Sequence, residues 1–224
     1  MRRDHHWLTL TLWGLLGLTA LVALLTGRWS VAFVSLATLG VTQVPILFQR
    51  WSGIRIPPGF VAAIIFFLVG TLFLGEVGDF YERFWWWDVM LHSGSAVGFG
   101  LIGTVIVLMM AQGRRLAATP FFIFIFSLSF AIAIGAVWEI FEFAMDQLFG
   151  LNMQKSGLVD TMWDLIVDSM GGLIGASAGF AYAKGHETGR LTSVIGDFIR
   201  DNRALLDGAA GQSAAGSDQT DNVA

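Results

Sequence analysis

Asp160-Thr161-Met162-Trp163-Asp164-Leu165-Ile166-Val167-Asp168 opens an apolar segment that continues to Ala183. Its three carboxylates fall four residues apart, and side chains at i, i+4 and i+8 share one face of a helix. The segment is long enough to cross a bilayer, which takes about 20 apolar residues. Acids are expensive at that depth, and an intramembrane acid is functional by default. The pattern recurs upstream. Glu139, Glu142 and Asp146 stand on the preceding apolar segment, and Asp88 and His92 form a pair one turn apart on the segment before it.

The whole chain fits this reading. Of its 224 residues 55% are hydrophobic and only 13% charged, about half the charged fraction of a soluble domain. Mean hydropathy is +0.67. There is no cysteine, so disulfides, thiolate metal sites and thiol nucleophiles are excluded. No basic patch interleaved with aromatics appears, so nucleic-acid binding has no support.

Six segments are apolar enough to span, near 7–26, 29–48, 58–75, 88–111, 119–148 and 160–183. Pro57-Pro58 and Thr119-Pro120 suit helix starts, where proline loses no needed hydrogen bond. Gly150 fits just past the end of the fifth helix, and Asp88 and Asp160 stand where N-cap acceptors belong. The first apolar run follows Arg2 and Arg3. It is too long for a signal-peptide core, has no small-residue cleavage site and precedes five more spans, so it is expected to be retained.

The expected fold is thus an all-α polytopic membrane protein with six transmembrane helices in residues 1–187. With the N-terminus in the cytoplasm, the cytoplasmic segments hold Arg2, Arg3, Arg50, Arg55, Arg114, Arg115, Lys184, Arg190, Arg200 and Arg203. The opposite side holds Arg28, Arg83 and Lys155. Basic residues concentrate on the cytoplasmic side of membrane proteins, so both termini are expected there. Residues 188–207 read as a short amphipathic helix, with Leu191, Val194, Ile195, Phe198, Leu205 and Leu206 on one side. It would lie on the cytoplasmic membrane surface or pack under the helices. Residues 208–224 hold nothing to bury and are expected to be disordered. No internal repeat of the kind common in secondary transporters is evident.

This orientation gathers the acids into layers. Asp88, Asp146 and Asp160 come at the extracytoplasmic mouth. At about 1.5 Å per residue, His92, Glu142 and Asp164 come roughly 6–9 Å below it, and Glu139 and Asp168 roughly 12–13 Å below. Gly171, Gly175 and Gly179 would let another helix approach closely, and Gly94 and Gly98 form a second small-residue series. One imidazole with several carboxylates is a hard-ligand set for a divalent cation such as Zn, Mn or Fe(II). The expected metal ligands are His92, Glu139, Glu142, Asp164 and Asp168, with Asp88 and Asp160 as a second shell or as helix caps. Asp146 reads as solvated. Trp85-Trp86-Trp87, after Phe80, Tyr81 and Phe84, reads as an interfacial aromatic belt.

At Trp87-Asp88-x-x-x-His92, Trp138-Glu139-Ile140-Phe141-Glu142 and Asp160-Thr161-x-Trp163-Asp164 the sequence resembles the YjdF-like family of bacterial inner-membrane proteins. The resemblance covers roughly residues 55–183. It implies an inner-membrane location and supports the site without naming a reaction. Asp168 lies outside those three motifs. Residues from Glu139 to Gly175 also resemble, more distantly, the VanZ-like family associated with resistance to a lipoglycopeptide antibiotic. That likeness implies a lipid-linked or cell-envelope substrate.

Three functions compete at this stage. The first is a metal-dependent membrane protein acting on an envelope lipid or small molecule. The second is an ion- or proton-coupled transporter using the acids as a relay. The third is a structural or assembly protein whose acids make buried contacts between helices. Nucleophile motifs, phosphate-binding basic residues and cofactor signatures are missing from the apolar core, so whether the chain is an enzyme stays open.

Overall fold

The computed structural model describes residues 4–112 and 118–204. Arg2, Arg3, Arg114, Arg115, Leu205, Leu206 and the tail expected to be disordered lie outside those residues. Helices and no strands occur among the described residues. The helices are α1 (Asp4–Leu25), α2 (Trp29–Val41), α3 (Val44–Ser52), α4 (Pro58–Leu68), α5 (Phe80–Arg83), α6 (Trp86–Gln112), α7 (Pro120–Phe149), α8 (Leu158–Ala183) and α9 (Arg190–Asp201). Six stretches are long and apolar enough to cross a membrane: Trp7–Leu25, Trp29–Ser52, Pro58–Gly75, Trp86–Ala111, Pro120–Phe149 and Leu158–Ala183. The protein is therefore an all-α polytopic membrane protein with a short C-terminal helix.

The chain forms two compact units that divide between Leu91 and His92, within the continuous helix α6. In the first unit, α1 packs on α2 and α4, around the buried side chains Leu16, Ile65 and Val69. The second span is broken. α2 ends at Val41 and α3 begins at Val44, with Pro45 in its first turn. The buried Thr42 hydroxyl at this break accepts the Trp13 indole N–H at 3.0 Å, tying the break to α1. Ser35 and Thr38 are also buried, and each donates its hydroxyl to a carbonyl one turn back on its own helix. The third span continues past α4 as a π-helical turn, Val69–Gly75.

The aromatic run is divided in its role. Trp85 is exposed, as an interfacial belt requires, and Trp86 is partly so. Trp87 is buried and meets Phe80 edge-on at 4.8 Å between ring centroids. The spacing of three consecutive indoles hides this, because successive helical residues point about 100° apart.

In the second unit, Thr119 caps α7 by accepting the Phe122 N–H at 3.2 Å, with Pro120 at the first helical position. Gly150, with φ 66°, ends α7 in the left-handed region that favours glycine. Glycines bring α8 against its neighbours. A Cβ on Gly171 would stand 2.5 Å from the Ser93 carbonyl oxygen, and one on Gly175 2.5 Å from that of Val97. A Cβ on Gly179 would strike the Thr104 side chain. The facing series on α6 is thus Ser93, Ala96, Gly100 and Thr104. Gly94, expected to face a partner, has nothing within 4 Å of its Cβ position. Its register is wrong by one residue, which turns it off the seam. Helix α7 joins lower down, where Ser127 and Thr104, both fully buried, share a hydrogen bond of 2.9 Å.

α9 packs on α8, with Gly196 against the Tyr182 ring. It buries Thr192, Ile195 and Phe198. The apolar side of α9 thus has α8 as a partner.

Candidate metal centre

Three helix faces define the site. On α6, residues 92, 96, 100 and 104 follow one another at four-residue steps. On α7 the steps are 127, 131, 135 and 139, and Ser127, Ala131, Gly135 and Glu139 are all buried. On α8, Asp164, Asp168, Gly171, Gly172, Gly175 and Gly179 are buried along the facing stripe. Below, the faces consist of glycine, alanine and hydroxyls in close contact. Above, the same faces carry His92, Glu139, Asp164 and Asp168. Helix packing thus places the ionisable groups at the upper end of the α8 seam.

Asp88, His92 and Asp164 each offer one ligand atom, and these atoms lie within 4.8 Å of one another. His92 and Asp164 are buried, and Asp88 is half-buried. Donors this close need only small side-chain shifts to converge on one cation at about 2.0–2.2 Å each. Asp168 is not a member of the group. Its Oδ1 lies 3.3 Å from His92 Nδ1, and the residue is 2% exposed. Asp88, expected in a second shell or as a cap, stands with His92 and Asp164 in this group of close donors, and Asp168, expected as a ligand, lies beside the imidazole outside it.

Neither Asp88 nor Asp160 is a helix cap. Helix α6 begins at Trp86, so Asp88 lies inside its first turn. Helix α8 begins at Leu158 after Gly157, so Asp160 does likewise. Both helices start three residues earlier than N-caps at these acids would require. Carboxylates in a first turn still favour the positive end of the helix dipole.

Glu139 is 4% exposed, and its carboxylate lies beside the Thr161 side chain of α8. It lies within electrostatic range of His92, Asp160 and Asp168, yet outside the ligand group. Glu142, expected beside His92, is also outside that group. It is half-buried, and its Oε1 accepts the Trp138 indole N–H at 2.9 Å on its own helix. Glu139 and Glu142 are three residues apart, about 300° around a helix, so both cannot point along one line.

Two contributions escape a reading of the acids alone. Asp146 is not simply solvated. Its oxygens accept the backbone N–H groups of Met153 at 2.7 Å and Gln154 at 2.9 Å, fixing the loop into α8. Gln154 then donates to the Thr161 hydroxyl at 2.6 Å. The second contribution is Gly135, whose missing side chain leaves the space that the Asp168 carboxylate occupies.

Residues 6–185 match the family described as "Predicted membrane protein (DUF2238)". The chain belongs to this family. Membership extends the expected resemblance, which began near residue 55, over the first two spans as well. The YjdF-like reading agrees with it. The DUF2238 chain is also similar to an uncharacterised protein of Thermotoga maritima, 30% identical over 98 residues. That match covers 44% of this chain and 50% of the relative, so the chain spans about half the length of the curated relative it matches. No solved structure matches.

Proposed function

We propose that this protein binds a divalent cation through Asp88, His92 and Asp164, and uses it on an envelope lipid or small molecule. The convergence of those three donor atoms within 4.8 Å carries the proposal. Charge supports it. Helices α6, α7 and α8 bear seven carboxylates, namely Asp88, Glu139, Glu142, Asp146, Asp160, Asp164 and Asp168, and no lysine or arginine. Removing anions from water without a counter-charge is costly, and a bound cation offsets that cost. One imidazole and oxygen donors suit Zn, Mn or Fe(II). Bound there, the ion would act as a Lewis acid or clamp a phosphate.

The surplus of arginine and lysine on the other side of the membrane supports an extracytoplasmic site in the bacterial inner membrane, with both termini cytoplasmic. From there the site would meet lipid-linked substrates, in keeping with the VanZ-like resemblance.

Elemental analysis of protein purified in mild detergent tests the proposal. About one divalent ion per chain is expected, retained through dialysis and lost in Asp164→Asn. Metal-free protein of unchanged helicity that takes up no Zn, Mn or Fe(II) would replace this reading with a proton relay or a purely structural acid cluster.

A further inference from the structure

We infer that Asp168 is a positioning residue for His92, seated in a notch that only glycine at position 135 leaves open. The inference rests on the cation site proposed above but concerns the imidazole itself. Asp168 Oδ1 approaches His92 Nδ1 at 3.3 Å, across 76 residues of sequence. An ionised carboxylate only accepts hydrogen bonds, so this contact places the proton of a neutral imidazole on Nδ1. Nε2 is then the nitrogen with a lone pair for a cation. Histidines that ligate metals commonly donate their other N–H in this way, which fixes ring orientation and tautomer.

The second carboxylate oxygen shows how Asp168 is held. Asp168 Oδ2 is buried without a hydrogen-bond partner among the described residues. It rests over the Gly135 Cα, where a Cβ would collide with it. The cost of burying that oxygen unpartnered is accepted in a place where the other oxygen reaches His92. Alanine at 135 would leave the His92–Asp168 pair chemically intact but push the carboxylate aside. Gly135→Ala therefore separates position from charge.

Nitrogen-15 spectra of the His92 imidazole, in detergent-solubilised full-length protein without metal, read the tautomer directly. Wild type should show Nδ1 protonated and Nε2 unprotonated. Asp168→Asn and Gly135→Ala should each raise the Nε2-protonated population. Calorimetric titration with Zn²⁺ should show about 10–100-fold weaker binding in both variants, the usual effect of losing such a partner. Asp168→Asn preserves side-chain size, so it guards against misfolding in the alanine variant. An Nε2-protonated ring in wild type would overturn the inference, as would Zn²⁺ affinity unchanged in both variants. Wild type that binds no Zn²⁺ but shows the Asp168-dependent tautomer would keep the positioning role and defeat the cation proposal alone.

Discussion

His92 on α6 and Asp168 on α8 meet at 3.3 Å, one turn beyond Asp164 along the same α8 stripe. The imidazole therefore has carboxylates from two successive turns of α8 near it. Asp164 belongs with Asp88 in the ligand group. Asp168 lies on the side of the ring nearer the glycine seam.

That division ranks the acidic substitutions. Asp164→Asn keeps shape and hydrogen-bonding capacity but removes charge from the ligand group, so metal binding should be lost while the protein stays monodisperse. Glu142→Gln should be much milder, because the amide oxygen can still accept the Trp138 N–H. Equal metal content in wild type and Asp164→Asn would remove Asp164 from the site.

The seam makes its own prediction. Gly175→Ala would set a Cβ 2.5 Å from the Val97 carbonyl oxygen and 3.0 Å from the Gly100 Cα. Both are backbone atoms, so α6 and α8 must move apart. Overpacking of this kind costs about 1–3 kcal/mol. Gly94→Ala meets nothing within 4 Å and should be neutral or stabilising by roughly 0.5–1 kcal/mol, the helical advantage of alanine over glycine. Thermal unfolding in one detergent compares the two. Equal melting temperatures would mean that the glycines of α8 do not set the helix approach.

Asp146→Ala should loosen the loop between α7 and α8. Two backbone N–H groups, of Met153 and Gln154, lose their acceptor, at about 1–3 kcal/mol for each one left buried and unsatisfied. Hydrogen exchange at residues 153 and 154 should accelerate, with little change near Ser127. Unaltered protection would show that the loop is held by other contacts.

Much of this was readable from the residues, and the misses have physical causes. Spacing alone identified the apolar spans and the acid stripes, because burial requires a helix to repeat its pattern every three to four residues. It selects His92, Glu139, Glu142, Asp164 and Asp168 as the buried set; four of them are buried, and Glu142 is only half-buried. It did not assign their partners, since a stripe specifies a face and not the register against the next helix. Thus spacing puts Gly94 on the seam that Ala96 and Gly100 form, and it does not show that Asp88, and not Asp168, stands in the close donor group with His92 and Asp164. Gly135 carried no chemical signal of its own. Only the neighbouring Asp168 carboxylate gives its missing Cβ a meaning.

Topology is tested independently of chemistry. A reporter active only outside the cytoplasm should work when fused near Lys155 and fail when fused near Arg114 or after Arg190. The opposite pattern would move the site to the cytoplasmic face and exclude envelope substrates on the outer side.

X-ray absorption at the zinc edge of Zn²⁺-loaded protein reads the ligands themselves. A centre built on Asp88, His92 and Asp164 should give a first shell of one imidazole nitrogen with oxygen neighbours at about 2.0–2.2 Å. The histidine signature should vanish in His92→Gln and persist in Glu142→Gln. A zinc shell of oxygens alone, or one unchanged in His92→Gln, would contradict a metal centre built on Asp88, His92 and Asp164.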